Sequence, residues 1–476
     1  MEPLFFSLSL FLPIVSFAFI FHLYTSISKP QNKTNLPPGS FGWPLIGETY
    51  QFLSQDPQIF IKDRITKYSS KIFKTSLFGD PVVVLCGPSG HKFISANEGK
   101  LMTIWRPVSM QKLFRGSYQK VSSSTTISSQ SGARLIRSSA LFKPEALAAF
   151  AEVMDSMAKS HFEEHWIGKS EVEVCGLVQL LIAGVAAKLF VGLEDPQRVA
   201  NIARFFDLIS QGLHAFPYSI PGTSFARAKK ASDAMRNEIL MVIKQKKTAM
   251  PQGEKLHDYL SYMIFRGDHS GRFMPENEVA DKVMGLAFAA FSSPSLALMY
   301  LMKYLGEKPQ VYEEIRAEQM EILKSKRHGE PLNWDDISKM KYSWNVLLEV
   351  MRLVPPLQGT FREATTNFTY ESYTIPKGWK IYWTVSSTNK DPEFFPEPDK
   401  FDPARFESEL PPFLNVPFGG GRRVCPGKDY ARLLMLIYLH HAVRLFKWEL
   451  INFNPKVAES MNPIPVEGVW LRFNLV

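Results

Sequence analysis

From Glu276 to Glu307 the chain runs for about 30 residues with helical patterning and apolar side chains on nearly every face, longer than most globular helices. A helix without a polar face cannot lie on a surface, so this stretch has to run through the middle of a protein with other elements wrapped around it. Lys143–Trp166, Val172–Val191, Asp195–Gln211, Ala226–Met250 and Leu256–Phe265 carry helical patterning too, which makes most of 143–350 helical. Strand signals sit at the flanks. Lys71–Cys86 alternates β-formers around Gly79-Asp80-Pro81 and reads as a hairpin, and beyond residue 354 short strands alternate with Pro-rich loops, as in Asn367–Trp383. The expected class is α+β, mostly helical, with small sheets at one end. No internal repeat or long Gly/Ser linker interrupts the body, so 48–476 is read as a single domain.

The N-terminus adds an element of another kind. Leu4 to about Tyr24 is an apolar run long enough to span a bilayer as a helix. No basic segment precedes it and no small-x-small site follows, which favours an anchor at 1–28 over a cleaved signal. Glu2 before the run and Lys29 and Lys33 after it place the body on the cytoplasmic side. Residues 29–47 form a polar tether and a Pro-rich hinge whose Phe41, Trp43, Leu45 and Ile46 are expected to pack on the domain. A net charge of +9 without a long basic run argues for an anionic membrane surface or an acidic protein partner and against nucleic acid. The three cysteines, Cys86, Cys175 and Cys425, are too few and too scattered for a disulfide scaffold or a paired-cysteine metal site.

The chemistry concentrates in Pro417-Phe418-Gly419-Gly420-Gly421-Arg422-Arg423-Val424-Cys425-Pro426-Gly427, followed by a strong helical pattern from Lys428 to about Leu450. It is not a phosphate loop, because Gly421 and Gly427 are one residue too far apart and Asp429 stands where a hydroxyl is required. A cysteine just ahead of a helix N-terminus, with Arg422 and Arg423 beside it, is expected to favour the thiolate and to suit a metal. The glycines allow the backbone to approach something bulky and flat. A second cluster lies in Trp344–Val354, where Glu349 and Arg352, three apart on an otherwise apolar helix, are expected to be buried as a pair.

The first stretch matches Phe-x-x-Gly-x-Arg-x-Cys-x-Gly at Phe418, Gly421, Arg423, Cys425 and Gly427, and so resembles the haem-ligand loop of the cytochromes P450. The second resembles that family's Glu-x-x-Arg, completed by Arg405 of Pro403-Ala404-Arg405-Phe406 as structural scaffolding. Anchor, hinge, central helix and these motifs follow the family's order along the whole chain, and Trp43–Thr49, Lys143–Leu147, Pro355–Glu363 and Ile375–Lys380 look like the plant clan that oxidises triterpenoids and related polycyclic terpenoids.

The resemblance implies haem b on the Cys425 thiolate, with Phe418 and Gly427 shaping the loop and Arg423 and Arg362 pairing haem propionates. It further implies O2, an NADPH–cytochrome P450 reductase, a hydrophobic terpenoid substrate and single-pass residence in the endoplasmic reticulum membrane. Arg422, Lys428 and Arg432 are candidates to meet an acidic reductase. Two departures stand out. The family's central helix carries an acid and an alcohol that relay protons, whereas this chain reads Ala289-Ala290-Phe291-Ser292-Ser293-Pro294, leaving Ser292 and Ser293 as the candidate relay. A further propionate arginine is replaced by Leu135, with Arg134 and Arg137 on either side. Ala289, Ala290, Phe291, Leu357, Gly359, Phe361 and Ile464 are expected to line an apolar substrate pocket. Two rivals to a monooxygenase stay open at this point: a haem-thiolate isomerase or dehydratase that needs no relay, and a haem-binding scaffold without turnover.

Overall fold

The computed structural model describes residues 35–44, 46–115, 144–249, 257–265, 273–327, 329–452, 461 and 463–475. The expected anchor at 1–28, the start of the tether, and Arg134 and Arg137 lie outside the described residues. Within the segment read as one domain, contacts group the chain into two compact units: residues up to 105 together with 359–388, and residues 106–358 together with 389–476.

The first unit is built on a five-stranded sheet in the order Ile72–Leu77, Asp80–Leu85, Lys380–Thr384, Gly359–Ala364, Met102–Ile104. Its hairpin turns one step earlier than the sequence suggests. Phe78 and Gly79, with φ of 57° and 83°, form the two-residue turn, and both positive angles match the twist of a tight hairpin. Asp80 and Pro81 already belong to the second strand, opposite Leu77 and Ser76. Pro81 is tolerated there because pairing to the next strand begins only at Val82. Phe52, Phe78, Trp105, Phe361 and Tyr382 form an aromatic core with ring centroids 4.7–6.4 Å apart. Part of the hinge docks on this unit: Lys74 donates its N–H to the Pro38 carbonyl at 2.8 Å, and Phe41 meets Trp379 edge-on at 5.7 Å. Trp43 and Ile46, expected to pack as well, are 78% and 50% exposed.

The second unit is helical. The central helix spans Glu276–Glu307 as expected, and its apolar girth is covered by Val174–Ala186, Pro196–Gly212, Ser224–Ala249, Lys341–Leu353 and Lys428–Leu445. The stretch expected as one helix over Val172–Val191 divides into a short strand, Glu171–Glu173, the helix Val174–Ala186 and a π-helical end, Ala187–Val191. The cause is local. The Glu173 carboxylate accepts the N–H groups of Cys175 and Gly176, both at 2.8 Å, and so caps the helix there. Among the described residues, the two helical stretches long and apolar enough to cross a membrane are Val174–Val191 and Glu276–Glu307, and both are largely buried inside the fold.

Glu349 and Arg352 are fully buried and joined by two hydrogen bonds of 2.6 and 2.8 Å. The remaining guanidinium donors reach the carbonyls of Asn389, Pro398 and Lys400, while Glu349 accepts the Asp402 N–H at 2.8 Å. Arg405 stands 3.6 Å from the same carboxylate and acts on it through charge. Removing one partner strands the other charge in the core, so Glu349→Gln should cost about 3–5 kcal/mol; chemical denaturation against the parent chain measures it, and a loss well under 1 kcal/mol would contradict this role. Acid should destabilise the fold through two buried histidines. Burial is the largest cause that pushes His161 and His440 down to about 3, helped at His440 by His441 and Arg444 and opposed by Asp155 and Asp336. Below the ordinary histidine pKa near 6.5 the unfolded chain binds protons that these neutral rings refuse, so stability falls from about pH 6.5 downward, by about 2 kcal/mol per ring at pH 5. Denaturation midpoints between pH 7 and pH 5, compared with His440→Gln, test the slope.

Candidate functional site

The Cys loop lies in the second unit and leads directly into the helix Lys428–Leu445. Gly419 and Gly421 take φ of 70° and 63°, angles that bulkier residues rarely adopt, and turn the chain into one 3-10 turn over Gly421–Arg423. The Cys425 N–H donates to the Phe418 carbonyl at 2.8 Å, which closes the loop on itself. Gly427 caps the following helix, and a Cβ there would stand 3.9 Å from the Cys425 sulfur.

The electrostatics differ from the sequence expectation. Surrounding protein desolvates the Cys425 thiol and pushes its pKa up; the Gly427 N–H works in the opposite direction and Asp429 adds to the rise. The helix start and the two arginines do not make it a free thiolate. Cys425 is nevertheless exposed to solvent, and so is Val424. The residue is thus open to solvent while neighbouring protein crowds its sulfur.

The central helix presents the other notable surface. It is buried along most of its length, but Ala289 and Ser293, one turn apart, are exposed and Ser292 is half-buried. Ala290 and Phe291 are buried, and Phe291 packs on Phe206 with centroids 5.0 Å apart, in the core and away from the accessible stripe. Pro294 has no N–H, so the Ala290 carbonyl lacks its usual partner four residues on, while the Ser295 hydroxyl donates to the Phe291 carbonyl at 2.7 Å. Leu357 is 47% exposed. Ile464 is half-buried against the core, in a turn tied down by the Tyr300 hydroxyl on the Pro463 carbonyl at 2.9 Å.

Three residues named from the sequence belong to the first unit. Gly359 is hemmed in so tightly that a Cβ would fall 2.3 Å from the Trp383 carbonyl oxygen. Phe361 is part of the aromatic core described above. Arg362 forms a buried ion pair with Glu98 and also donates to Thr360 Oγ1 at 3.0 Å and the Phe361 carbonyl at 2.9 Å. Arg423 is half-buried in the 3-10 turn, and Arg422 and Lys428 are exposed. Arg432, expected at a reductase-facing surface, is half-buried with its guanidinium 5.3 Å from the centre of the Trp344 ring.

This donor set fits haem. Among the described residues no group of three His, Cys, Asp or Glu could hold a bare metal ion. A lone, exposed sulfur in a glycine-rich loop suits a metal that brings its own planar ligands, and coordination would remove the proton that burial favours.

The comparisons agree. The family model described as Cytochrome P450 matches residues 37–467. Beta-amyrin 28-monooxygenase of Kalopanax septemlobus is 46% identical over 472 residues, covering 98% of this chain and 97% of its own. Beta-amyrin 6-beta-monooxygenase of Solanum lycopersicum is 42% identical, with 99% of each chain covered. The retinoic acid-bound cyanobacterial CYP120A1 superposes with a TM-score of 0.84 at 29% identity, over 94% of this chain and 100% of that one. Purified protein should therefore carry one haem whose reduced CO complex has the red-shifted Soret band of a thiolate ligand, and Cys425→Ser should abolish that band. A parent spectrum of histidine-ligated haem would overturn the assignment.

Proposed function

The chain belongs to the cytochrome P450 family, in its triterpenoid-oxidising plant clan, and from that membership we propose that it is a membrane-anchored haem-thiolate monooxygenase that hydroxylates or successively oxidises one C–H position of a triterpenoid. Identity above 40% along nearly the full length to relatives named as beta-amyrin monooxygenases carries the reading. Bound through the Cys425 sulfur, haem supplies the reductive activation of O2 and the transfer of one oxygen atom into the C–H bond, with the second atom leaving as water. Electrons come from NADPH through a reductase, met by the exposed Arg422 and Lys428, and the body rests on the cytoplasmic face of the endoplasmic reticulum.

The chain's own residues supply position and protons. Gly427 holds its N–H toward the Cys425 thiolate, and Phe418 fixes the backbone behind it. Ala289 and Leu357 offer apolar, accessible surface that a polycyclic hydrocarbon can cover and keep dry. The family's acid is absent, so proton delivery falls to the Ser292 and Ser293 hydroxyls, with the Ala290 carbonyl left by Pro294 as a place for a water to bond. A serine does not ionise near neutral pH, so a relay of this kind is slow and part of the reducing power leaves as peroxide.

The rivals make different demands: an isomerase or dehydratase turns over without O2 and NADPH, and a scaffold binds haem and ligand without turnover. With a reductase and a triterpenoid panel, product should form only when both O2 and NADPH are present. Ser293→Ala should lower product per NADPH several-fold with the haem spectrum intact. Unchanged coupling in Ser292→Ala, Ser293→Ala and the double variant would remove the relay, and product formed without O2 would overturn the monooxygenase reading itself.

A further inference from the structure

Three flat groups meet at the Cys loop, with Trp344 in contact with each of the other two. The Phe418 ring stacks on Trp344 at 6.1 Å with 19° between the planes, and the Arg432 guanidinium covers the indole at 5.3 Å. Phe418 is also the residue whose carbonyl takes the Cys425 N–H at 2.8 Å. A displacement of its ring is thereby passed to the backbone that carries the sulfur.

The middle group is unusually well held. Trp344 sits in the first turn of the helix Lys341–Leu353, donating its N–H to the Met340 carbonyl at 3.2 Å. The Glu318 carboxylate grips that turn by accepting the N–H groups of Tyr342 and Ser343 at 2.7 and 3.0 Å and the Ser343 hydroxyl at 2.6 Å. Gln319 donates to the same hydroxyl at 2.8 Å and accepts from His440 Nδ1 at 2.9 Å. His440 and Arg432 are on one helix, Lys428–Leu445, about 12 Å apart along its axis. One helix therefore anchors the start of its neighbour at one point and covers the Trp344 ring at another. Arg432 Nε is buried without a hydrogen-bond acceptor among the described residues, so the ring face, together with the charge of Asp429 one turn back on the same helix, is what holds that cation.

We propose that Trp344, backed by Arg432, is a positioning residue for the Cys425 ligand, acting through Phe418 on the loop hydrogen bond and so on the strength with which the thiolate binds and tunes the iron. This rests on the haem-thiolate reading. Neither residue touches cofactor or substrate in this role. Second-sphere groups that orient a ligand commonly change affinity by ten- to a hundred-fold, which sets the scale of the expected effect.

The test uses full-length protein and two readouts besides activity: the rate at which the red-shifted CO band is lost on standing, and the ferric/ferrous midpoint potential. Trp344→Leu should raise the rate of loss about tenfold and shift the one-electron equilibrium by up to tenfold, about 59 mV. Arg432→Met should do the same more weakly, and Trp344→Phe, which keeps a flat ring in the stack, should stay near the parent. Leu439→Ala, a buried substitution on the same helix away from the stack, should lower thermal stability and leave the potential where it was. If Trp344→Leu lowers thermal stability but moves neither the potential nor the band, the residue is packing alone and the proposal falls. If the parent protein shows no thiolate band, the haem-thiolate reading falls first.

Discussion

Two full charges buried with no exposure, Glu349 and Arg352, organise the second unit. A pair like this has to be completely satisfied or the desolvation penalty exceeds the attraction, and two hydrogen bonds between the partners are not enough. The rest comes from backbone supplied by Asn389, Pro398, Lys400 and Asp402, a stretch with little regular structure of its own. The irregular chain is therefore pinned by its carbonyls to a rigid helix and arrives at residue 417 along a fixed course. The precision of the Cys loop is inherited from an ion pair about 70 residues upstream that performs no chemistry.

The same helix, Lys341–Leu353, carries Trp344 at its start and the ion pair near its end. It touches the ligand loop both through the side chain under Phe418 and through the path of the chain that follows. The helix Lys428–Leu445 closes the arrangement from the other side. It begins at the ligand loop and continues to the buried His440–Gln319–Ser343 bonds. Ligand, scaffold pair and stacked rings thus belong to one body, while the accessible stripe on the central helix offers the apolar surface.

Much of this was legible in the sequence because it is written locally. The Cys loop is one contiguous string, Glu349 and Arg352 are separated by a single helical turn, and the central helix declares itself by being apolar all round and has the expected ends. What escaped depends on distance or on competition. The hairpin turn slipped because Phe78 adopts a positive φ that its residue type does not advertise. The expected helix over Val172–Val191 lost its first two residues to a cap made by Glu173, which also lies in a short strand. Burial outweighed the helix N-terminus at Cys425, and only three-dimensional crowding reveals that. Arg432 read as a surface cation because its partner ring, Trp344, is 88 positions away; nor could any pattern announce that Glu98 would pair with Arg362.

The raised thiol pKa of Cys425 has a consequence for assembly. An accessible cysteine at a helix N-terminus would ordinarily be a reactive thiolate, open to disulfide exchange and oxidation during synthesis. Burial in the folded chain works against that thiolate and makes this sulfur a poorer nucleophile. That shielding belongs to the folded chain, because the crowding that raises the pKa exists only there.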